Sequence, residues 1–370
     1  MTKPAVSAPV LPDGTVRMAA AFRAQARSCA TLGSPFMARL CTAMAERVHS
    51  GALSADHGSV AARLLDWPRD PTAAGDAVPL RLAAAAHALV LADRSPGLAA
   101  VYPPHQDRND DADLWAAVTG AMAAEPGHFH RWLDSAPQTN EVRRASALYL
   151  GLMAVARRTR LPIVLSEIGA SAGLNLALGQ FGYRFGGRRF GAPAAPLVLQ
   201  PDWQGPVPAP AAVAVQDAVG CDLNPLNPSQ ADDRLRLRSY LWPDQAERVR
   251  LTQHAIAIAR QSPHTVRVQD AVGFLRDRLA DRRPGAAHAV MQSVVWQYLP
   301  ADDRKAITDL MASHGARADA TAPLAWIQME PDGQTPGAGI SLTLWPGGTP
   351  QHLGRVDYHG RWLHAAERAA

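Results

Sequence analysis

The chain has 370 residues, 47% hydrophobic and 19% charged, enough apolar content for one large globular domain or two ordinary ones. Its net charge of +4 comes from arginines scattered along the chain, with hardly any lysine. There is no Lys/Arg tract and no basic–aromatic interleaving, so nucleic-acid binding is not expected.

The three cysteines, Cys29, Cys41 and Cys221, form no C-x-x-C pair and leave an odd count. That argues against a disulfide frame or a zinc site and fits a reducing cytoplasm. Met1 to Asp13 lacks the charged and apolar regions of a signal peptide. The longest apolar run, Leu82 to Ala92, is too short to span a bilayer and contains His87.

Residues 1 to about 16, rich in Pro and small residues, read as a disordered lead. From Met18 to about Leu133 the pattern is helical. Apolar residues recur at helical spacing over Met18–Ala30, Pro35–His49, Leu53–Leu65 and Pro79–Ala92. Ser34-Pro35 sets Pro in a first turn. Gly75–Val78 and Tyr102–Asp113 read as loops. Residues 1–135 are therefore expected to form a helical cap domain, and 136–370 an α/β domain.

In Pro137-Gln-Thr-Asn-Glu-Val-Arg-Arg144, Thr139 or Asn140 can cap a helix running to about Arg158. On the bland reading this is a capped helix with solvated charges. On the functional one, Asn140 and Glu141 line a site and bind a ligand's carboxylate or amine.

The next stretch organises the rest: Leu161-Pro-Ile-Val-Leu-Ser-Glu-Ile-Gly-Ala-Ser-Ala-Gly-Leu-Asn-Leu-Ala-Leu178. An apolar run suited to a buried parallel strand ends at Glu167. Gly169, Ser171 and Gly173 then form a small-residue loop, and Leu174 opens a helix. Strand, tight loop and helix make the ligand-cradling unit of open α/β sheets. A dinucleotide fingerprint fails, because its glycine positions hold Gly169, Ser171 and Leu174. A nucleophile elbow, G-x-S-x-G, matches Gly169-Ala-Ser171-Ala-Gly173.

Phe181 to Phe190 alternates around Gly186-Gly187 as a β-hairpin. With Leu197-Val-Leu199 it belongs to an insertion of about residues 180–212. Val213–Val215 and Val219–Asp222 read as the next strand, followed by Leu223-Asn224-Pro225. A helix over about Gln230–Arg260 breaks at Trp242-Pro243. Thr265–Ala271 is a strand ending in Asp270-Ala271, and His288–Pro300 a strand running into a loop. A helix over Asp302–Ser313, a strand over Leu324–Glu330, and an antiparallel pair (Ile340–Trp345, Arg355–Tyr358) complete the chain. Strands alternating with helices predict a seven-stranded, mostly parallel sheet.

Glu167-Ile-Gly169-Ala-Ser-Ala-Gly173 resembles the nucleoside-binding loop of S-adenosylmethionine (SAM) methyltransferases. There an acidic residue stands two positions before a glycine-rich run; Ser171 stands where glycine is more usual. Glu167 to Asn175, Asp222, Asp270 and Gln292 to Pro300 follow the order of the class I SAM-dependent methyltransferases, over about residues 140–370. The resemblance implies a Rossmann-like sheet and SAM as cofactor, with a small-molecule acceptor. It assigns the loop of Glu167, Gly169, Ser171, Gly173 and Asn175 to SAM's methionine end, Asp222 and Asn224 to the ribose, and Asp270 with Ala271 and Val272 to adenine. Gln292 and Ser293 would line the cofactor, Asn140 and Trp296 the acceptor, and Glu141 or Tyr298 would serve as base. Gly169 lies farther from Asp222 than a compact βαβ unit requires, which the insertion would explain. His288 stands where these enzymes frequently have Asp.

Ala26 to Pro35, Pro137 to Glu141, Glu167 to Leu176 and Gly220 to Asn227 also resemble a bacterial family of uncharacterised proteins, domain-of-unknown-function family 2332, which implies no substrate. Two other functions stay open. One is a serine hydrolase with Ser171 as nucleophile and Asp357, His359 or His364 completing a triad, though no oxyanion segment precedes the elbow. The other is a SAM- or nucleotide-binding module without catalysis.

Overall fold

The computed structural model describes residues 14–262 and 265–367. The expected lead lies outside the described residues up to position 13, and Gly14 opens the first helix. The chain divides into two compact units: residues up to Thr139 with Leu235–Val249, and Asn140–Arg234 with the chain from Arg250 onward. Among the described residues no helix is long and apolar enough to cross a membrane.

The first unit is helical: α1 (Gly14–Thr31), α2 (Pro35–His49), α3 (Ser59–Leu65), α4 (Val78–Leu91), α5 (Pro96–Val101), α6 (Asp111–Ala124) and α7 (Pro126–Leu133). Ser34 caps α2 by accepting the Met37 N–H, and its hydroxyl donates to Asp244 Oδ1 at 2.5 Å. Asp244 Oδ2 accepts the Phe36 N–H at 2.9 Å. These bonds tie residues 235–249 to this unit.

Two local expectations are corrected. The helix expected over Leu53–Leu65 is a 3-10 turn at Ala55–His57 followed by α3, because Gly58 between them takes φ +93°. The loop expected to Asp113 ends earlier, since Asp110 and Asp113 form a capping box that starts α6 at Asp111.

In the second unit a 3-10 turn, Val142–Arg144, leads into α8 (Ala145–Thr159). Its cap is Glu141, which accepts the Arg143 N–H, rather than Thr139 or Asn140. α8 is buried over most of its circumference. A Cβ on Gly151 would meet Ile327 Cγ2 at 2.6 Å, so glycine lets the helix approach the sheet.

The strands are β1 (Ile163–Ile168), β2 (Gly182–Phe185), β3 (Arg188–Gly191), β4 (Val198–Leu199), β5 (Asp202–Gln204) and β6 (Val215–Asp222). After α9 (Ala231–Ser239) and α10 (Ala246–Ala259) come β7 (Thr265–Val268), α11 (Ala271–Ala280), β8 (Ala287–Ser293) and α12 (Ala301–Gly315). β9 (Leu324–Glu330), β10 (Ala338–Trp345), β11 (Pro350–Val356) and β12 (Trp362–Ala365) end the fold.

The main sheet has nine strands, not seven, in the order β5-β12-β11-β10-β9-β8-β1-β6-β7. The run β7-β6-β1-β8-β9 is parallel, β9 to β12 pair antiparallel, and β5 pairs parallel to β12. The two extra strands, β5 and β12, are three and four residues long, too short for a visible two-residue period. The expected hairpin is present. Gly186 and Gly187, both at positive φ, join β2 to β3, and β4 completes a separate three-stranded sheet. The insertion thus serves two sheets, because β5 joins the main one. The helix expected from Leu174 is a 3-10 helix, Leu174–Gln180, whose first five residues are all buried.

Candidate functional site at the carboxyl ends of β1, β6 and β8

β1 is the strand from which the sheet grows both ways: through β6 and β7 on one side, then through β8 and β9 on the other. In an open parallel sheet such a reversal leaves a crevice beyond the carboxyl ends of the two central strands. The Gly169–Gly173 loop leaves β1 at that reversal.

Its backbone is tightly constrained. Gly169, Ser171 and Gly173 have φ of 67°, 52° and 71°. A Cβ on Gly169 would meet Val295 Cγ2 at 2.6 Å, so position 169 needs glycine both for its φ and for space. Ser171 has no such freedom and is held by contacts: its N–H donates to Asp222 Oδ2 at 3.0 Å, and the Ala170 N–H donates to the Cys221 carbonyl at 2.9 Å. Gly220 lets β6 come this close, since a Cβ there would lie 2.5 Å from Ala170 Cβ.

Beneath the loop, Glu167 sits in β1 between Gly220 of β6 and Met291 of β8, and is 2% exposed. Its Oε2 is buried with no hydrogen-bond partner among the described residues. Burial drives its carboxyl well above the usual carboxylate range, and the Asp222 charge pushes the same way. Native proteins rarely leave a buried polar atom unpaired, and doing so costs about 1–3 kcal/mol. Asn175 is 1% exposed, and its Oδ1 is a second buried acceptor without a partner among the described residues.

The structure brings Asn140 and Glu141 to the same place. Asn140 Oδ1 accepts the Leu174 N–H at 2.9 Å, and the Glu141 carbonyl accepts from Asn175 Nδ2 at 3.4 Å. Glu141 is 2% exposed. Asp222 binds backbone through both oxygens, with Oδ1 accepting the Asn224 N–H at 2.9 Å. Asp270 is the exposed N-cap of α11, its Oδ1 accepting the Gly273 N–H at 2.8 Å, and Ala271 opens that helix. Glu167, Asp222 and Asp270 all act on Cys221. Burial chiefly pushes its thiol up to about 12, with the three carboxylates adding and the Gly169 N–H opposing. At 1% exposure the thiol is also out of reach of solvent, which argues against a nucleophilic role.

The β8 end is built differently. Gln292 is fully buried and its amide is committed: Nε2 donates to Glu330 Oε1 at 3.2 Å, and Oε1 accepts the Trp326 Nε1–H at 3.1 Å. It braces β8 against β9 and leaves little for a ligand. Ser293 offers its carbonyl to Arg144 Nη1 at 3.4 Å. Trp296 packs edge-to-face on Trp326 with centroids 5.6 Å apart. Tyr298 is 63% exposed, in a 3-10 turn. Solvent on most of its surface leaves it poorly placed for a catalytic base.

Sequence reasoning missed several of the residues that shape this end. Val294 holds φ +54°, a strained value for a β-branched residue. Glu330 fixes the turn by accepting the Val295 N–H at 3.1 Å. Burial raises its carboxyl, while bonds from Val295 and Gln292 oppose the rise. Arg144 Nε donates to the Tyr358 carbonyl at 3.0 Å, which brings the β11–β12 turn to residues 143–144. A signal for Glu330 existed: like Glu167, it ends an apolar strand with a carboxylate.

Of the residues nominated for a hydrolase triad, His364 stands apart on the sheet and Asp357 already has partners. His364 lies on β12, five strand spacings from β1, or roughly 24 Å. Asp357 takes Arg361 Nη2 at 2.7 Å and Arg361 Nε at 2.9 Å, together with the His359 N–H. Among the described residues no three His, Cys, Asp or Glu are placed to hold a metal ion.

A family model described as "Uncharacterized protein conserved in bacteria (DUF2332)" matches residues 19–364. No curated protein matches the chain, and no solved structure does.

Proposed function

The chain belongs to that uncharacterised bacterial family, and from this premise we propose that it is a SAM-dependent methyltransferase acting on a small-molecule acceptor. The observation that carries the reading is Glu167, a buried carboxyl with an unpartnered oxygen under a tight loop at the sheet's reversal point. Burial favours the neutral Glu167 carboxyl in the empty site, and an ammonium group brought beside Glu167 Oε2 and Asn175 Oδ1 would offset that burial and hold the carboxylate, so the complementary ligand brings donors and positive charge. SAM has that group, and its sulfonium adds positive charge suited to a site with Glu141, Glu167 and Asp222. The parallel order β7-β6-β1-β8-β9 supports a Rossmann-like sheet, here extended by antiparallel strands.

On this reading Glu167 and Asn175 hold the amino acid end beside the Gly169–Gly173 loop. Asp222 accepts one backbone N–H on each oxygen, and a carboxylate offers about four acceptor positions. The remaining ones would accept from the ribose hydroxyls, and Asp270 with Ala271 and Val272 would hold the adenine. When bound, SAM supplies an electrophilic methyl group on a sulfonium centre. The protein's work is to position the acceptor and shield it from water. Asn140 orients the acceptor, and the Glu141 carboxylate takes its proton where the acceptor carries one. Tyr298, being exposed, has no part in that step.

The test is isothermal titration of the full chain with SAM and with S-adenosylhomocysteine. Saturable binding of both is expected. Absence of binding in a folded sample free of co-purified ligand refutes the proposal.

A further inference from the structure

The other end of the same strands holds a cavity of about 510 Å³. Val164 and His288 are the second residues of β1 and β8, and Leu324 is the first of β9, so the cavity lies at the amino ends of three parallel neighbours. Glu167 lies three residues farther along β1, roughly 10 Å at strand rise. Ligands of open α/β sheets gather at the carboxyl ends, so the fold's usual site does not account for this cavity.

Its lining has two parts. The apolar part is buried: Val164, Leu279, Ala286, Ala322 and Leu324. The polar part is strongly basic, with Arg276, Arg282, Arg283 and Arg317 against Asp281 as the one lining carboxylate. Two of these arginines are already paired. Arg283 reaches Asp281 and Asp217, each at 3.0 Å, and Arg282 pairs with Asp319. Arg276 and Arg317 have no carboxylate partner among the described residues and are exposed.

The back wall is tied together by hydrogen bonds and one ion pair. Arg278 Nε donates to Ser166 Oγ at 2.9 Å, and that hydroxyl lies 2.9 Å from His288 Nε2. Arg278 also pairs with Asp217 at 2.9 Å, which leaves it committed to the wall. Burial holds the His288 imidazole down to about 3, with Arg278 and Arg283 pushing the same way. His314 is lowered by burial and then by Arg317. Both rings are thus neutral in a region of positive potential.

We propose that this cavity binds a small organic anion, its apolar body on Val164, Leu279 and Leu324 and its carboxylate or phosphate head on Arg276 and Arg317. Guanidinium groups recognise both heads through paired N–H donors, and the volume suits a ligand of drug-like size. The site is independent of the reading given to the carboxyl ends of the strands.

Three probes sharing a naphthalene body test it by calorimetry on the full chain: 2-naphthoate, 2-naphthyl phosphate and uncharged 2-naphthol. At least one anion should bind with 1:1 stoichiometry, and the tighter one identifies the head group. In R276Q/R317Q its Kd should rise by about tenfold or more, and 2-naphthol should bind neither protein comparably. Both side chains are exposed, so the variant should keep its melting curve; the single variants R276Q and R317Q, each with a smaller rise in Kd, are the check if it does not. No binding of either anion at millimolar concentration to folded protein overturns the proposal. So does a Kd unchanged by the substitutions.

Discussion

The two ends of β1 and β8 carry opposite chemistry on one scaffold. At the carboxyl ends Glu167 and Glu330 are buried acids and Asp222 holds the loop backbone. At the amino ends the charge is arginine, and the nearby imidazoles are neutral. The difference lies in what the charges do. The acidic end spends its groups on shaping backbone: Asp222 holds a serine in left-handed geometry, and Glu330 holds the turn after a strained valine. The basic end has no non-glycine residue in left-handed geometry among its lining residues and leaves two guanidinium groups without a carboxylate partner among the described residues. Strain at one end and free charge at the other are separate ways of building a site.

Gly169→Ala strikes hardest at the constrained end. It sets a Cβ against Val295 in left-handed geometry, and should cost about 2–4 kcal/mol in denaturant unfolding. A loss below roughly 0.5 kcal/mol would show that the loop relaxes freely, and the contrast with the basic end would fade.

Asp222→Ala comes next. It leaves the Ser171 and Asn224 N–H groups without their acceptor and should cost about 1–3 kcal/mol of stability. Its effect on SAM separates two roles. Asn at 222 keeps an acceptor for only one of the two N–H groups, so Asp222→Asn loosens the loop in part. SAM affinity that falls in step with lost stability across the two variants would point to loop shaping, and a loss in a variant that keeps its stability would point to direct contact with hydroxyls.

Glu167 gives the clearest pH signature. Its folded pKa is raised, so its contribution is fully present below the unfolded value of about 4.3 and is lost as pH rises through the folded value. Measured against Glu167→Gln, wild-type stability should therefore fall as pH rises above about 4.3, with a slope of at most about 1.4 kcal/mol per pH unit. Parallel pH profiles for the two proteins would mean that water or another group satisfies the carboxyl.

Much of this end was legible in the chain. Ile163 to Leu165 is an apolar run of the kind a strand buried on both faces needs, and Glu167 with the small residues after it marks where the strand stops. Gly186-Gly187 announced its hairpin. The use made of each carboxylate was not legible. Whether Asp222 faces a ligand or a backbone N–H depends on Gly220 admitting Ala170, a contact between residues 50 positions apart. Gln292 looked like a site residue by position, yet its partners are Trp326 and Glu330 on the next strand. The basic cavity was invisible for a similar reason. Its arginines come from α11, the segment after it and the turn after α12, and only the folded sheet gathers them.

The central claim is that Glu167 awaits a cationic donor. Its most direct test is calorimetric titration of SAM into wild type and into Glu167→Gln, with both shown folded at the working temperature. Saturable binding to wild type, weakened by about tenfold or more in the variant, is the predicted result. Equal affinity in the two proteins, or no binding to a folded wild type, would contradict it.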